Sequence, residues 1–363
     1  MLMILSCSVA AAGKPNNPGA KPLDALGKEV AAQLPAKRVI CSGAGCLRLL
    51  TYLQAQDLIT GVDDMEGRRK KFDARPYAIA NPQFKPMPIF GEFRGHDNPE
   101  RILTLEKQPE VILKIKTSSM GYDPKELQEK TGIPVVVVDY GNLGSGRPAL
   151  YQSLQTMGKV VGKEKRAEEI IAFIDNIIAD LDRRTAHIPE EKRPTVFVGG
   201  VAFKGPHGLQ STEPGYPPFS FVHAKNMAFD ASSAKQLHST NVSKEQIVAW
   251  NPDYLFLDLA TLQMGAEAGG LHELKTDPAY QLLSAANNGR VFGVLPYNWY
   301  NANYGSILAN AYFIGKTIYP ECFKDVDPVK KADEIYSFLV GKPVFASMNK
   351  AFQDLVFTNI PVK

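Results

Sequence analysis

Apolar positions along this chain follow two alternating rhythms. Mostly apolar runs occur in KRVICSG (37–43), VILKI (111–115), GIPVVVVDYG (132–141), TVFVGG (195–200), YLFLDL (254–259) and RVFGVLP (290–296). Runs of this length without polar alternation predict parallel strands covered on both faces. Between them apolar residues recur three or four apart, as at Leu47, Leu50 and Leu53, which predicts helices with one buried face. With Gly and Pro marking the turns, the alternation predicts an α/β fold with mostly parallel sheets.

The alternation is interrupted once. Residues 149–185 hold a continuous helical pattern, with Ile170, Ile171, Phe173, Ile174, Ile177, Ile178 and Leu181 toward one side and Glu168, Glu169, Asp175 and Asp180 toward the other. A helix of about 20 residues spans about 30 Å, enough to connect two domains. Gly158 and Gly162 mark a turn or a close packing point within the stretch. The expected organisation is an N-terminal segment (1–36), a first α/β lobe (37–147), a connecting helix (148–184) and a second α/β lobe (185–363). Two Rossmann-like lobes joined by one long helix also suit a chain of 363 residues, which is long for a single core.

A phrase written twice supports two related lobes. NPERILTLEKQPEVILKI (98–115) and VSKEQIVAWNPDYLFLDL (242–259) each place a Glu, Glu100 or Glu245, two residues before an Ile. Each then continues through an apolar helical run, a Pro beside an acid, and a strand.

Composition narrows the class. Hydrophobic content of 44% and charged content of 22% are globular values, and a net charge of +3 without a basic, aromatic-interleaved run gives no footprint for nucleic acid. The opening MLMILSCSVAAAGKPNNPGAKP runs from apolar to small to Pro, Asn and Gly, the order of a signal peptide followed by a flexible mature start. Lipidation at Cys7, plain cleavage near Ala12 and a short buried strand are all open for this segment. No later stretch is apolar enough to span a bilayer, so membrane contact is expected only through a partner or a lipid anchor at Cys7. Four cysteines leave stability to the cores, and Cys41 and Cys46, flanking SGAG, suit two buried thiols, a local disulfide or a soft-metal pair.

The order and spacing of VICSG, NPERILTL…PEVIL, GIPVVVVD, LQTMGKVVGKEKRAEEIIAFI, VSKEQIVAWNPDYLFL and GRVFGVLPYNWY resemble the substrate-binding proteins of ABC importers for iron-siderophores, haem and corrinoids. The resemblance runs from about Lys37 to about Leu339. It implies a periplasmic or other extracytoplasmic binding protein, not an enzyme, with no resident cofactor. Its ligand would be a metal chelate such as a ferric siderophore, haem or cobalamin, held between the lobes and delivered to an ABC permease dimer. It also implies that Glu100 and Glu245 dock on the permease, one per lobe, and that modest lobe closure changes their spacing. One departure is the long connection over residues 68–88, a candidate lid or specificity loop.

Ligands of α/β sheets bind outside the carboxyl ends of strands. That rule points to residues 42–46, 92–96, 117–122, 203–207, GYPPFSF (215–221) and 297–300. Tyr297, Trp299 and Tyr300, near Asn301 and Tyr304, offer flat area with polar edges to a planar chelate. Arg94 and Lys204 are candidate partners for an anionic ligand, and His96 and His207 are candidate metal ligands. Two other functions compete. A direct Zn, Mn or Ni binder needs three or four clustered His, Asp or Glu, for which Glu92 and Asp97 are the only added candidates beside the two histidines. A chelatase-like enzyme shares the architecture, but the cysteines are too scattered for an iron-sulfur site and no Gly-x-Ser-x-Gly, phosphate-cradling loop or His-Glu-x-x-His occurs.

Overall fold

The computed structural model describes residues 21–68, 71–116, 121–229 and 239–362. The expectations for a leader, for Cys7 and for Ala12 lie outside the described residues, as does most of the 117–122 loop.

The first lobe is built on a parallel sheet of β1 (Val39–Ser42), β5 (Val111–Ile115) and β6 (Val135–Val138), in that order. A smaller sheet beside it joins β2 (Val62–Asp63) parallel to β3 (Ile89–Glu92), and β3 antiparallel to β4 (His96–Asp97). Helices α1 (Cys46–Tyr52), α2 (Asp64–Gly67), α3 (Pro76–Ala80), α4 (Pro99–Leu103) and α5 (Pro124–Thr131) connect and cover these strands. The second lobe holds a wholly parallel sheet in the order β12 (Val291–Val294), β11 (Tyr254–Asp258), β7 (Thr195–Gly199) and β9 (Lys225–Asn226). A short antiparallel pair, β8 (Ser211–Thr212) with β10 (Thr240–Asn241), lies apart from it. Its helices are α8 (Pro217–Phe221), α9 (Lys244–Trp250), α10 (Gly269–Thr276), α11 (Ser284–Asn287), α12 (Tyr304–Ile318), α13 (Pro328–Val340) and α14 (Phe345–Ala351). The apolar runs are the buried parallel strands that the sequence predicts, and the two-lobed α/β architecture holds.

The connector differs from a single helix. Helix α6 (Arg147–Val161) ends at Gly162, whose φ of 67° is the left-handed C-terminal cap that glycine adopts without strain, and α7 (Glu164–Thr185) follows after two residues. The two fold back on each other: Gly158 faces Ala167, and Tyr151 donates to Asp175 at 2.6 Å. Helix α6 therefore belongs to the first lobe, and α7 makes the crossing. Ile170, Ile174, Ile177 and Leu181 form its buried stripe, while Ile171, Phe173 and Ile178 are half-buried.

The lobes share one main core, beside which the first lobe keeps a smaller cluster of its own around Ile40, Phe90, Ile102, Ile112 and Leu127. One continuous apolar cluster runs from Val30 in the first lobe to Val362 at the chain's end. Helix α13, which the sequence places in the second lobe, packs on α1 and α3 of the first. Lys342 Nζ reaches the Ala80 carbonyl at 2.7 Å, and Phe72 meets Phe352 at 5.5 Å. The 68–88 segment is thus no lid. Among its described residues, Phe72, Ala74, Tyr77 and Phe84 are buried, and Arg75 is held by Asp73 and Glu66 in a buried ion network.

Candidate functional site

A cavity of about 770 Å³ opens between the lobes at the carboxyl ends of the strands. The first lobe supplies Ala44 after β1, Ile115 and Lys116 at the end of β5, Asp139 and Tyr140 after β6, and the 141–146 turn that leads into α6. The second supplies Phe203 after β7, Glu213 after β8, Ser220 and Phe221 of α8, and Tyr297, Asn298, Asn301 and Ala302 after β12. Local sequence explains the close approach at Ala44. Gly45 has a φ of 93°, and a Cβ there would lie 2.2 Å from the Tyr140 ring, so only glycine lets the loop pass under it.

The cavity's charges are unequal. Arg94 and Lys116 both line it, and among the described residues neither side chain has a carboxylate partner. Asp139 accepts the Gly141 N–H at 3.0 Å. Glu213 is 8% exposed, and burial pushes its carboxyl up to about 8, against the opposing effect of the Tyr297 hydroxyl that donates to it and with added repulsion from Asp258. At neutral pH Glu213 is therefore largely protonated and offers the two cations little opposing charge. The long helix α6 also starts at this wall without a side-chain cap, which leaves the positive end of its dipole toward the cavity.

Of the residues proposed from sequence, the cavity brings Arg94 and Tyr297 together. Trp299 is a core residue, set edge-to-face on Phe352 at 6.0 Å, and does not line the cavity. Tyr300 points away from it: its hydroxyl donates to Asp63 and accepts the Arg94 N–H at 3.1 Å. Lys204 is exposed over the Phe203 ring. His96 is exposed on β4, whereas His207 bonds the Phe203 carbonyl at 2.8 Å and lines a separate polar recess, so the structure does not unite them in one site. Asp97 is locked away from any metal role by buried Lys114, whose Nζ lies 2.5 Å from it, and by Ser42 at 2.9 Å. Glu92 is exposed on β3, and no group of three His, Cys, Asp or Glu suited to a metal occurs among the described residues. Cys41 and Cys46 are buried free thiols, not a disulfide.

Sequence reasoning missed Lys116, Asp139, Tyr140 and Glu213. Lys116 had a signal: it follows a strand in which Lys114 already interrupts the apolar run.

Glu100 and Glu245 occupy equivalent places. Each is the second residue of its helix, α4 or α9, and each is exposed. The preceding cap, Asn98 or Ser243, accepts the N–H three residues on, and the Ile two residues after each Glu is fully buried. The repeated phrase is thus the same structural unit used twice.

Two α/β lobes around a ligand-sized cavity at their strand ends define a two-lobed solute-binding architecture. The chain belongs to the periplasmic binding protein family, which it matches over residues 53–296. It is 22% identical over 229 residues to an uncharacterized ABC transporter substrate-binding lipoprotein of Bacillus subtilis, YvrC, covering 63% of this chain and 67% of that one. Among solved structures, molybdate-bound MolA of Haemophilus influenzae superposes with a TM-score of 0.65 at 19% identity, covering 88% of this chain and 97% of MolA. The periplasmic haem-binding protein HutB of Vibrio cholerae superposes with a TM-score of 0.53 at 21% identity, covering 78% of this chain and 99% of HutB. These likenesses establish the fold. No helix among the described residues is long and apolar enough to cross a membrane.

Proposed function

We propose that this protein is the extracytoplasmic substrate-binding component of an ABC importer and that it captures an anionic metal chelate, a ferric siderophore or haem ahead of a corrinoid. Family membership and the likeness to YvrC support the transport role, and a tether through Cys7 is consistent with that relative's being a lipoprotein. The observation that carries the ligand class is the interlobe cavity of about 770 Å³ with Arg94 and Lys116 on its wall. Its size suits a chelate, and unpaired cations beside a largely neutral Glu213 favour a ligand bearing carboxylate or catecholate oxygens. Glu100 and Glu245, exposed at matching helix starts, are the two contacts offered to the permease. The bare-ion alternative has less support, because the two histidines are apart and Asp97 is engaged by Lys114.

The test is equilibrium titration of the purified protein with ferric siderophores, haem, cobalamin, molybdate, and Ni, Zn and Mn ions, followed by visible absorbance and protein fluorescence. One chelate should bind saturably at a single site, and Arg94→Glu with Lys116→Glu should weaken it at least tenfold, about 1.4 kcal/mol. Binding of molybdate or of a bare ion without any chelate would overturn the assignment.

A further inference from the structure

The cavity's own cations leave unexplained a guanidinium buried behind its wall. Arg48 lies in α1 of the first lobe, is 1% exposed, and forms no ion pair among the described residues. Instead its Nη1 donates to the Tyr140 hydroxyl at 2.5 Å and to the Ala302 carbonyl at 3.0 Å. Its Nη2 donates to the carbonyls of Trp299 and Tyr300, each at 3.0 Å. Three of these four acceptors sit on the loop that leaves β12 of the second lobe. Only the Nε–H lacks a partner.

The same loop is held to the first lobe at further points. Asn301 Nδ2 donates to the Ala44 carbonyl at 3.0 Å, the Tyr140 hydroxyl donates to the Ala302 carbonyl at 2.6 Å, and the Tyr300 hydroxyl donates to Asp63. Tyr300 and Asn301 adopt φ values of 51° and 70°, left-handed backbone that non-glycine residues keep only where surrounding contacts over-determine it. Asn298, Asn301 and Ala302 of this loop form part of the cavity wall. A planar fork of donors suits three carbonyls fanned around it, and a lysine ammonium cannot present that geometry.

We propose that Arg48 is a positioning residue for ligand capture: it fastens the second lobe's 299–302 loop onto the first lobe, so that the cavity wall is assembled before the ligand arrives. It touches no ligand and acts through the loop. The role in capture rests on the function proposed above, whereas the fastening itself is a property of the empty protein.

The experiment is hydrogen–deuterium exchange of the ligand-free full chain, read on peptides covering residues 297–304, with wild type, Arg48→Met and Arg48→Lys. The Met variant should keep the wild-type circular dichroism, exchange this loop at least tenfold faster and bind the chelate at least tenfold more weakly, with the Lys variant intermediate in both. Wild-type protection of the loop in Arg48→Met would overturn the proposal, and so would a loosened loop with unchanged affinity. Should the Met variant not fold, unaltered loop protection in Arg48→Lys overturns the proposal. If no chelate binds even the wild type, the proposed function fails, while exchange in the empty protein still decides the fastening.

Discussion

Replacing Glu213 by Gln should flatten the pH dependence of stability. In the folded chain burial pushes the Glu213 carboxyl up to about 8, whereas the unfolded chain releases that proton near 4.5. Between these values the folded state binds more protons than the unfolded one, so stability falls as pH rises, and below about 4.5 the contribution is fully present. The slope is about 1.4 kcal/mol per pH unit, which accumulates to about 5 kcal/mol over the interval. Asp63 and Asp258, both pushed up to about 7 by burial, act in the same direction over a lower interval that starts near 3.8. These three contributions are therefore fully present together only below about pH 4, and their sum falls as the pH rises from there toward 8. Gln retains an acceptor for the Tyr297 hydroxyl but carries no proton to lose. Urea unfolding at pH 5, 6, 7 and 8 checks this. The stability of Glu213→Gln relative to wild type should rise by about 4 kcal/mol from pH 5 to pH 8. Parallel curves for the two proteins would refute the reasoning, because they would mean that Glu213 is already ionised in the folded cavity.

Other outcomes follow from single contacts. Glu100→Arg with Glu245→Arg should abolish uptake in a reconstituted importer while leaving the chelate titration unchanged; preserved uptake would remove both from the docking surface. Asp97→Asn leaves the Lys114 ammonium, 3% exposed in side chain, without its carboxylate, and should cost about 3–5 kcal/mol in a denaturant melt. Gly45→Ala forces a Cβ against the Tyr140 ring at a φ of 93°, and a melt should show a loss of about 3 kcal/mol or more. Ile247→Ala, at a fully buried position of the repeated phrase, should cost about 2–5 kcal/mol by the same assay.

What the sequence reveals here follows from range. The six apolar runs became strands because a parallel strand buried on both faces has no room for polar alternation, a property written entirely in consecutive residues. The matching caps of α4 and α9 were readable for the same reason, since a helix start is decided within four residues. The connector was harder: an unbroken apolar period across residues 149–185 conceals a hairpin because both of its helices bury the same kind of stripe. Gly158 and Gly162 were the local signs of the break: Gly162 caps the first helix, and Gly158 lets the second pack against it. The site was least legible. Aromatic residues after a strand suit either a ligand platform or a core, and Trp299 turned inward because Phe352, far along the chain, lies in wait for it. Nothing local to CLRLLTY marks Arg48 as buried, because its acceptors are the carbonyls of a loop about 250 residues later.

The continuous core bears on how a transporter could recognise a loaded carrier. Glu245 stands over Ile247 in the core that both lobes share, whereas Ile102 beneath Glu100 packs in a cluster of first-lobe residues alone. If the shared core holds the span between the two corners, a membrane partner gripping both would meet the same two-point footprint whether or not the cavity were filled. News of the cargo would have to come from the mouth of the cavity itself, where Phe203, 40% exposed on the rim, and the ligand's own surface present a face that differs between the empty and the occupied molecule.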